Sequence, residues 1–358
     1  MVYAQFSTRG YLLVYPWILR YRFRILVAII GLLLSGQLLA DKIPDQFQSF
    51  VESAEGLRAL RTIHLAVAGK TQLAIGLHGA NPDRPRNIKS ASKLLISAMT
   101  GKAIEKGLIP GVETKVASLL ADKMPPSAAP ELHQLTIHHL LSMQAGLRRT
   151  SGPYYGNWVN SRDWVKYVLA QPVEEAPGGE MRYSTGNTHL LSAILMRQSG
   201  RSTYELFNDW FARAGVQVEG WHTDPAGIPM GGNQVTMKPA ALLAFAELYR
   251  RGGLTESGRR VISERWIELS WKPYTRSIHT LDDHGYAWFH RTLSGYDVWY
   301  GWGFGGQMLY VIPALETSLV MTSSTARPSG PTGYVERLHR LVSGELITAV
   351  KAFQSEAK

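Results

Sequence analysis

The apolar residues of this chain change their spacing twice along its 358 residues, and that change limits what it can fold into. Residues 62–79 read as two short strands, 64–68 and 71–77, turned at Gly69-Lys70. From Ser90 to about Pro273 the spacing becomes helical. Residues 136–143, 163–169, 189–197, 203–214 and 239–251 each read as a helix, separated by Pro- and Gly-rich loops. Beyond Pro273 the runs are short, aromatic or β-branched again, at 285–291, 296–300, 307–312 and 318–322, the pattern of an antiparallel meander. A helix is predicted at 46–61, and an amphipathic one at 335–353 carries Leu338, Leu341, Val342 and Leu346. Strands near both ends with helices between predict an α/β fold of the α+β sandwich type. One antiparallel sheet is built from both chain ends, with flanking helices and a mostly helical insert. The sheet part is expected at about 55–89 and 280–358 and the helical part at about 96–275, leaving a cleft between them as the natural active site.

The first 40 residues stand apart. They contain no acid, while Arg9, Arg20, Arg22 and Arg24 supply four of the ten formal positive charges. Arg20, Arg22 and Arg24 lead into an uncharged run, residues 25–40, which Asp41 and Lys42 end. That order is the pattern of a secretory signal. The run is shorter than the roughly 20 apolar residues of a bilayer span, and Gly31, Ser35, Gly36 and Gln37 weaken it further. Residues 1–40 are therefore expected to be a signal peptide cut after Ala40, or else an uncleaved inner-membrane anchor, with residues 41–358 forming the working domain. The implied location is periplasmic or secreted, alternatively the inner membrane. The remaining charge of +6 forms no basic block, so a nucleic-acid partner is not expected. There is no cysteine, which excludes disulfides, thiolate metal sites and a cysteine nucleophile.

The chemistry is carried by Ser90-Ala91-Ser92-Lys93, at the head of a helical pattern in which Leu94, Leu95, Ala98 and Met99 supply the buried positions. A serine hydroxyl needs a base to become a nucleophile near neutral pH. Residues three apart share a helix face, so Lys93 can reach Ser90 directly. Taken alone the tetrapeptide is weak evidence, since Ser355-Glu356-Ala357-Lys358 has the same spacing. Two later landmarks add weight, Tyr183-Ser184-Thr185 and Gly301-Trp302-Gly303-Phe304-Gly305-Gly306-Gln307.

These three motifs, in this order and at these separations, resemble the serine β-lactamase and penicillin-binding-protein-like hydrolases. The likeness is to the class C β-lactamase branch, which includes esterases, D-aminopeptidases and 6-aminohexanoate-dimer hydrolases. Residues 135–147, Met230-Gly231-Gly232-Asn233-Gln234 and Tyr286-Ala287-Trp288 resemble further landmarks, nearest the aminohexanoate-hydrolase-like subgroup, so that the likeness covers roughly residues 55–350. The resemblance implies that Ser90 forms an acyl-enzyme and that Lys93 and Tyr183 act as a coupled acid/base unit. It also implies an oxyanion hole from the backbone N–H groups of Ser90 and Phe304. Candidate pocket residues are Thr185, Asn187, Trp302, Gly303, Tyr154, Trp158 and Trp288.

Two departures bear on substrate. The family's third motif often carries Lys or His where this chain has Gly301 or nearby, and its second motif often ends in Asn where this chain has Thr185. Both favour an apolar acyl group or a neutral ester or amide, unless Arg148 or Arg149 restores the charge. The expected partner is a small-molecule ester, amide or peptide substrate, with no cofactor. Action on cell-wall D-amino-acid peptides or β-lactams is an alternative, as is a non-catalytic relative that only binds a ligand. Gly69-Lys70-Thr71 is no phosphate loop, because His64 stands where that motif needs Gly. His133, His138 and His139 lack metal-ligand spacing, so no metal site is expected. A nucleophile elbow, G-x-S-x-G, is absent, which argues against an α/β-hydrolase.

Overall fold

The computed structural model describes residues 43–356, so the expected signal peptide or anchor at residues 1–40 lies outside the described residues. The strands are β1 (Leu60–Val67), β2 (Lys70–Gly76), β3 (Arg86–Asn87), β4 (Gly220–Trp221), β5 (Val235–Met237), β6 (Thr275–Arg276), β7 (Asp283–His284), β8 (Phe289–Leu293), β9 (Tyr296–Gly303), β10 (Gln307–Ile312) and β11 (Thr317–Ser323). Eight of them form one antiparallel sheet in the order β2-β1-β11-β10-β9-β8-β7-β6. Its centre joins the two chain ends: β1 pairs with β11 through Ile63 opposite Met321 and Leu65 opposite Leu319. The expected fold class is therefore the one observed.

The two faces of the sheet are covered by different helices, and each central strand is buried through most of its length. That explains why β10 reads as a near-continuous apolar run, and why the hydroxyl residues that flank Leu319, Val320 and Met321 in β11 are buried as well. On one face the helix Pro239–Arg250 packs across β1, β10 and β11, and its Leu242, Phe245 and Tyr249 join Leu309, Val311 and Val320 in the main core. On the other, the helix Tyr334–Leu341 sets His339 against Tyr300 and Tyr310, the Tyr310 hydroxyl lying 3.2 Å from His339 Nδ1.

Between the two sheet segments lies the mostly helical part, whose long helices are Lys93–Glu105, Thr185–Ser199 and Thr203–Phe211. A second sheet, β3-β5-β4, ties the segment just before Ser90 to residues 220–237. Its strands are two or three residues long, too short to leave a periodic signal, and no sequence pattern announced them. The expected strand at 285–291 starts later, at Phe289. Residues 285–288 instead make a tight turn, with Ala287 at positive φ and Gly285 N–H on Trp288 O. The predicted helix at 46–61 ends at Glu55, where Gly56 follows and the chain enters β1. The closing helix is broken by a π turn at Val342–Leu346.

At the meander end the sheet is pinned by an ion pair. Arg291 grips Asp282 with two bonds, Nε–Oδ1 at 2.9 Å and Nη2–Oδ2 at 2.8 Å, and the Tyr300 hydroxyl donates to the same carboxylate at 2.5 Å. The Asp282 side chain is only 8% exposed, whereas Glu336, the other carboxylate on Arg291, is 53% exposed. Removing one partner of such a pair leaves the other charge poorly compensated. Asp282→Ala is expected to lower unfolding stability by about 3 kcal/mol, read from urea denaturation. A loss within experimental error would mean that Glu336 and water replace the carboxylate fully.

Candidate active site

Ser90 sits in a turn of 3-10 helix, Lys89–Ser92, that runs directly into the helix Lys93–Glu105. Lys89 holds a positive φ of 52°, an uncommon conformation for a residue with a side chain. The turn is held by Asn87, whose Oδ1 accepts from Lys89 N–H at 3.0 Å. Leu94, Leu95, Ala98 and Met99 anchor the helix in the core, and the serine sits half-buried at its head.

Lys93 is the centre of the constellation. Its side chain is 2% exposed, and three acceptors surround its amine: Gly232 O at 2.8 Å, Thr185 Oγ1 at 3.2 Å and Ser90 Oγ at 3.4 Å. Burial lowers its pKa from the usual lysine value to about 7, because desolvation penalises the ammonium form. A neutral amine has two N–H donors and one lone pair. Donation to Gly232 and Thr185 leaves that lone pair for the longest contact, the one to Ser90, where it can accept the hydroxyl proton.

Tyr183 lies on the other side of this amine. Burial raises its hydroxyl to about 12, with the Ser90 side chain acting the other way, so at neutral pH it is a phenol and a proton donor. Its ring lies 4.9 Å under the Lys93 amine and stacks on Phe289 of β8. The residues around it are fixed by the loop at 150–151, whose hydroxyls satisfy the N-terminal N–H groups of the helix Thr185–Ser199. Thr185 N–H donates to Ser151 Oγ at 2.9 Å and Gly186 N–H to Thr150 Oγ1 at 2.9 Å. The structure thus brings Ser90, Lys93, Tyr183 and Thr185 together from segments about 90 residues apart.

The third motif lies along the opposite wall. Gly301 and Gly303 belong to β9, and Gly303 pairs with Gln307 across the turn to β10. A Cβ at Gly303 would stand 2.3 Å from Ile88 O and 3.1 Å from Lys89 Cβ, so only glycine lets the strand approach the serine turn this closely. Phe304, the next residue, has an exposed side chain. Trp302 is half-buried, its indole N–H on Ser329 Oγ at 3.1 Å. Tyr154 is exposed at the end of the 3-10 turn Gly152–Tyr154 that follows Ser151.

Three expected pocket residues are not in a cleft. Trp158 is fully buried against Trp164 and His189, with its indole N–H on Trp164 O at 3.2 Å. Trp288 is fully buried against Tyr249 and Trp271. Asn187 points inward from its helix, with its amide 3.9 Å from Met143 Sδ. All three are core because large rings and inward helix positions bury with their neighbours. The spare-charge candidates are also engaged elsewhere, Arg148 with Glu174 at 3.0 Å and Arg149 with His279 at 3.5 Å. Reading the sequence missed two contributors. The Gly232 carbonyl has no side-chain signature, although the surrounding Met230–Asn233 stretch stood out. Lys89, whose amine lies 3.2 Å from Gln234 Oε1, gave no signal apart from its place beside Ser90.

Comparison with known proteins identifies the family and the fold. The Beta-lactamase family model matches residues 54–343. Among solved structures, a Bacillus anthracis protein assigned as a 6-aminohexanoate-dimer hydrolase superposes with a TM-score of 0.67 at 17% identity, over 85% of this chain and 82% of that one. A penicillin-binding protein homolog from Caulobacter crescentus gives 0.67 at 16% identity, covering 85% and 98%. EstCE1, a hydrolase with promiscuous acyltransferase activity, gives 0.64 at 18%, covering 84% and 98%. At these identities the superpositions speak for the fold.

The close approach at Gly303 generates a prediction. Gly303→Ala must push β9 away from the serine turn, and removing an oxyanion-hole donor, the part the resemblance implies for the neighbouring Phe304 N–H, typically costs about 10²–10³ in rate. A drop of at least about tenfold in the rate of Ser90 acylation is expected, with thermal unfolding still cooperative. An unchanged rate in the folded variant would show that β9 does not contribute to the reaction.

Proposed function

The chain belongs to the Beta-lactamase family of serine hydrolases, and on that premise we propose that it cleaves an ester or small amide through an acyl-enzyme on Ser90. The observation that carries this reading is the buried Lys93 amine, surrounded by three acceptors of which one is Ser90 Oγ. Neutral Lys93 takes the hydroxyl proton as Ser90 Oγ bonds to the substrate carbonyl carbon. The backbone N–H groups of Ser90 and Phe304 stabilise the oxyanion. As the carbonyl re-forms, the bond to the leaving group breaks and Tyr183 gives its proton to the departing oxygen or nitrogen. The proton held on Lys93 then restores the phenol. Water repeats the sequence on the acyl-enzyme, releasing the acid and regenerating Ser90. The sign of the pH dependence follows from the base: its working form is the neutral amine, so acylation falls below about pH 7.

The substrate reading rests on the third motif. Gly301 and Gly303 bring no charge to the wall facing Ser90, which suits a neutral or apolar acyl group better than a carboxylate. Export to the periplasm or beyond belongs to the same proposal and is supported by the arginine-then-apolar order of residues 20–40. Relatives in the class C branch, with their D-amino-acid peptide and β-lactam substrates, supply the second reading. Lys89 is what favours it, because this half-buried amine beside Ser90 is tied only to the neutral Gln234 side chain in the contacts described.

The test is covalent labelling of the purified protein, read by intact mass. A fluorophosphonate probe is expected to add one label to the wild type and none to Ser90→Ala, while a penicillin leaves the mass unchanged. Stable penicilloylation of Ser90 would favour the second reading. A folded wild type that neither reagent labels would contradict a catalytic Ser90.

A further inference from the structure

The Gly232 carbonyl makes the shortest contact to the Lys93 amine, and its position depends on two buried residues other than Ser90, Lys93 and Tyr183. His189, on the helix Thr185–Ser199, and Asp224 have side chains 0% and 1% exposed, with His189 Nε2 3.1 Å from Asp224 Oδ2. The other ring nitrogen, Nδ1, faces the Gly231 N–H at 3.4 Å. A backbone N–H can only donate, so Nδ1 must be the acceptor, which puts the ring proton on Nε2, pointing at Asp224. The remaining oxygen of Asp224 is occupied by the N–H groups of Ala226 and Ile228, each at 2.8 Å. On its carbonyl side Gly231 accepts from Thr188 Oγ1 at 3.0 Å. Gly232 then turns through a positive φ of 78°, directing its carbonyl to Lys93, where an added Cβ would stand 2.5 Å from Lys93 Cγ.

We infer that Asp224 and His189 are positioning residues for the hydrolase reaction: they lock one imidazole tautomer, which holds Gly231 and so aims the Gly232 carbonyl at the Lys93 amine. The inference rests on the reading of Lys93 as the base for Ser90. Two flanking indoles, Trp158 and Trp164, wall His189 off at ring distances of 5.5 and 5.4 Å, so no water replaces the missing acceptor easily. The titratable neighbours of Lys93 are Tyr183 and His284, and His284 is kept uncharged by burial, at about 3. Through the neutral range the dipole of the Gly232 carbonyl therefore opposes the desolvation of the ammonium.

Asp224→Asn tests the lock. The asparagine oxygen is claimed by the Ala226 and Ile228 N–H groups, so its NH₂ must face His189 Nε2. That forces the ring proton onto Nδ1, against the Gly231 N–H. With the carbonyl displaced, the ammonium loses an acceptor and Lys93 titrates lower. His189→Gln is the companion variant: its amide still donates towards Asp224 but leaves Gly231 without an acceptor. The readout is the pH profile of fluorophosphonate labelling at Ser90. Both variants are expected to move the acid limb of that profile down by at least about half a pH unit. A merely structural role would lower the amplitude and leave the limb where it is. An unmoved or upward-moved limb in a folded variant overturns the inference, as does failure of both variants to melt cooperatively. A wild type without Ser90 labelling would instead contradict the proposed function, so the two failures are distinguishable.

Discussion

Everything in this site depends on one desolvated amine. Lys93 has no carboxylate partner in the contacts described; it has a backbone carbonyl, two hydroxyls and an aromatic face. A charged partner would stabilise the ammonium and keep the proton on nitrogen. Neutral acceptors stabilise the ammonium far less than a carboxylate would, so burial wins and the pKa falls to about 7. A lysine so placed can serve as a base at the pH where most hydrolases work. Tyr183, pushed the other way by the same burial, keeps its proton. The two groups are separated in role by one environment acting on opposite charge types.

The fold supplies that environment by bringing four distant segments to one point. The helix beginning at Lys93 brings Ser90 and Lys93, the N-terminus of the helix Thr185–Ser199 brings Tyr183 and Thr185, residues 231–232 bring a carbonyl, and β9 closes the wall. Each is held by local chemistry independent of the reaction. Thr150 and Ser151 satisfy the helix N-terminus, β3 and β5 fasten the strand before Ser90 to residues 235–237, and Gly303 allows the close approach of sheet and serine turn. Such a site is preorganised, because the groups that orient it are already satisfied in the resting state.

Much of this was legible from the residues. The two changes of spacing carried the sheet from both ends and the helical insert, because short apolar or β-branched runs bounded by turns differ from helical spacing. Ser90, Lys93 and Tyr183 stood out because their spacing and order are unusual together. Thr185 looked like a departure, yet its hydroxyl still reaches the Lys93 amine. Other parts were hidden for physical reasons. Strands of two residues have no period to read. Trp158 and Trp288 looked like pocket walls because composition cannot tell a ring that lines a cleft from one that fills a core. Main-chain groups are invisible in a sequence, so the Gly232 carbonyl appeared only with the coordinates. The Asp224–His189 pair escaped because its members, 35 residues apart, touch the reaction only through that main chain.

The central claim is that Lys93 is neutral enough near neutral pH to take a proton from Ser90. It is tested most directly by titrating its amine nitrogen in protein carrying ¹⁵N-labelled lysine side chains, with Lys93→Met to assign the signal by NMR. A midpoint near 7 is the predicted result. A midpoint near about 10, the value of an unperturbed lysine, would mean that burial does not deprotonate this group and would contradict the account.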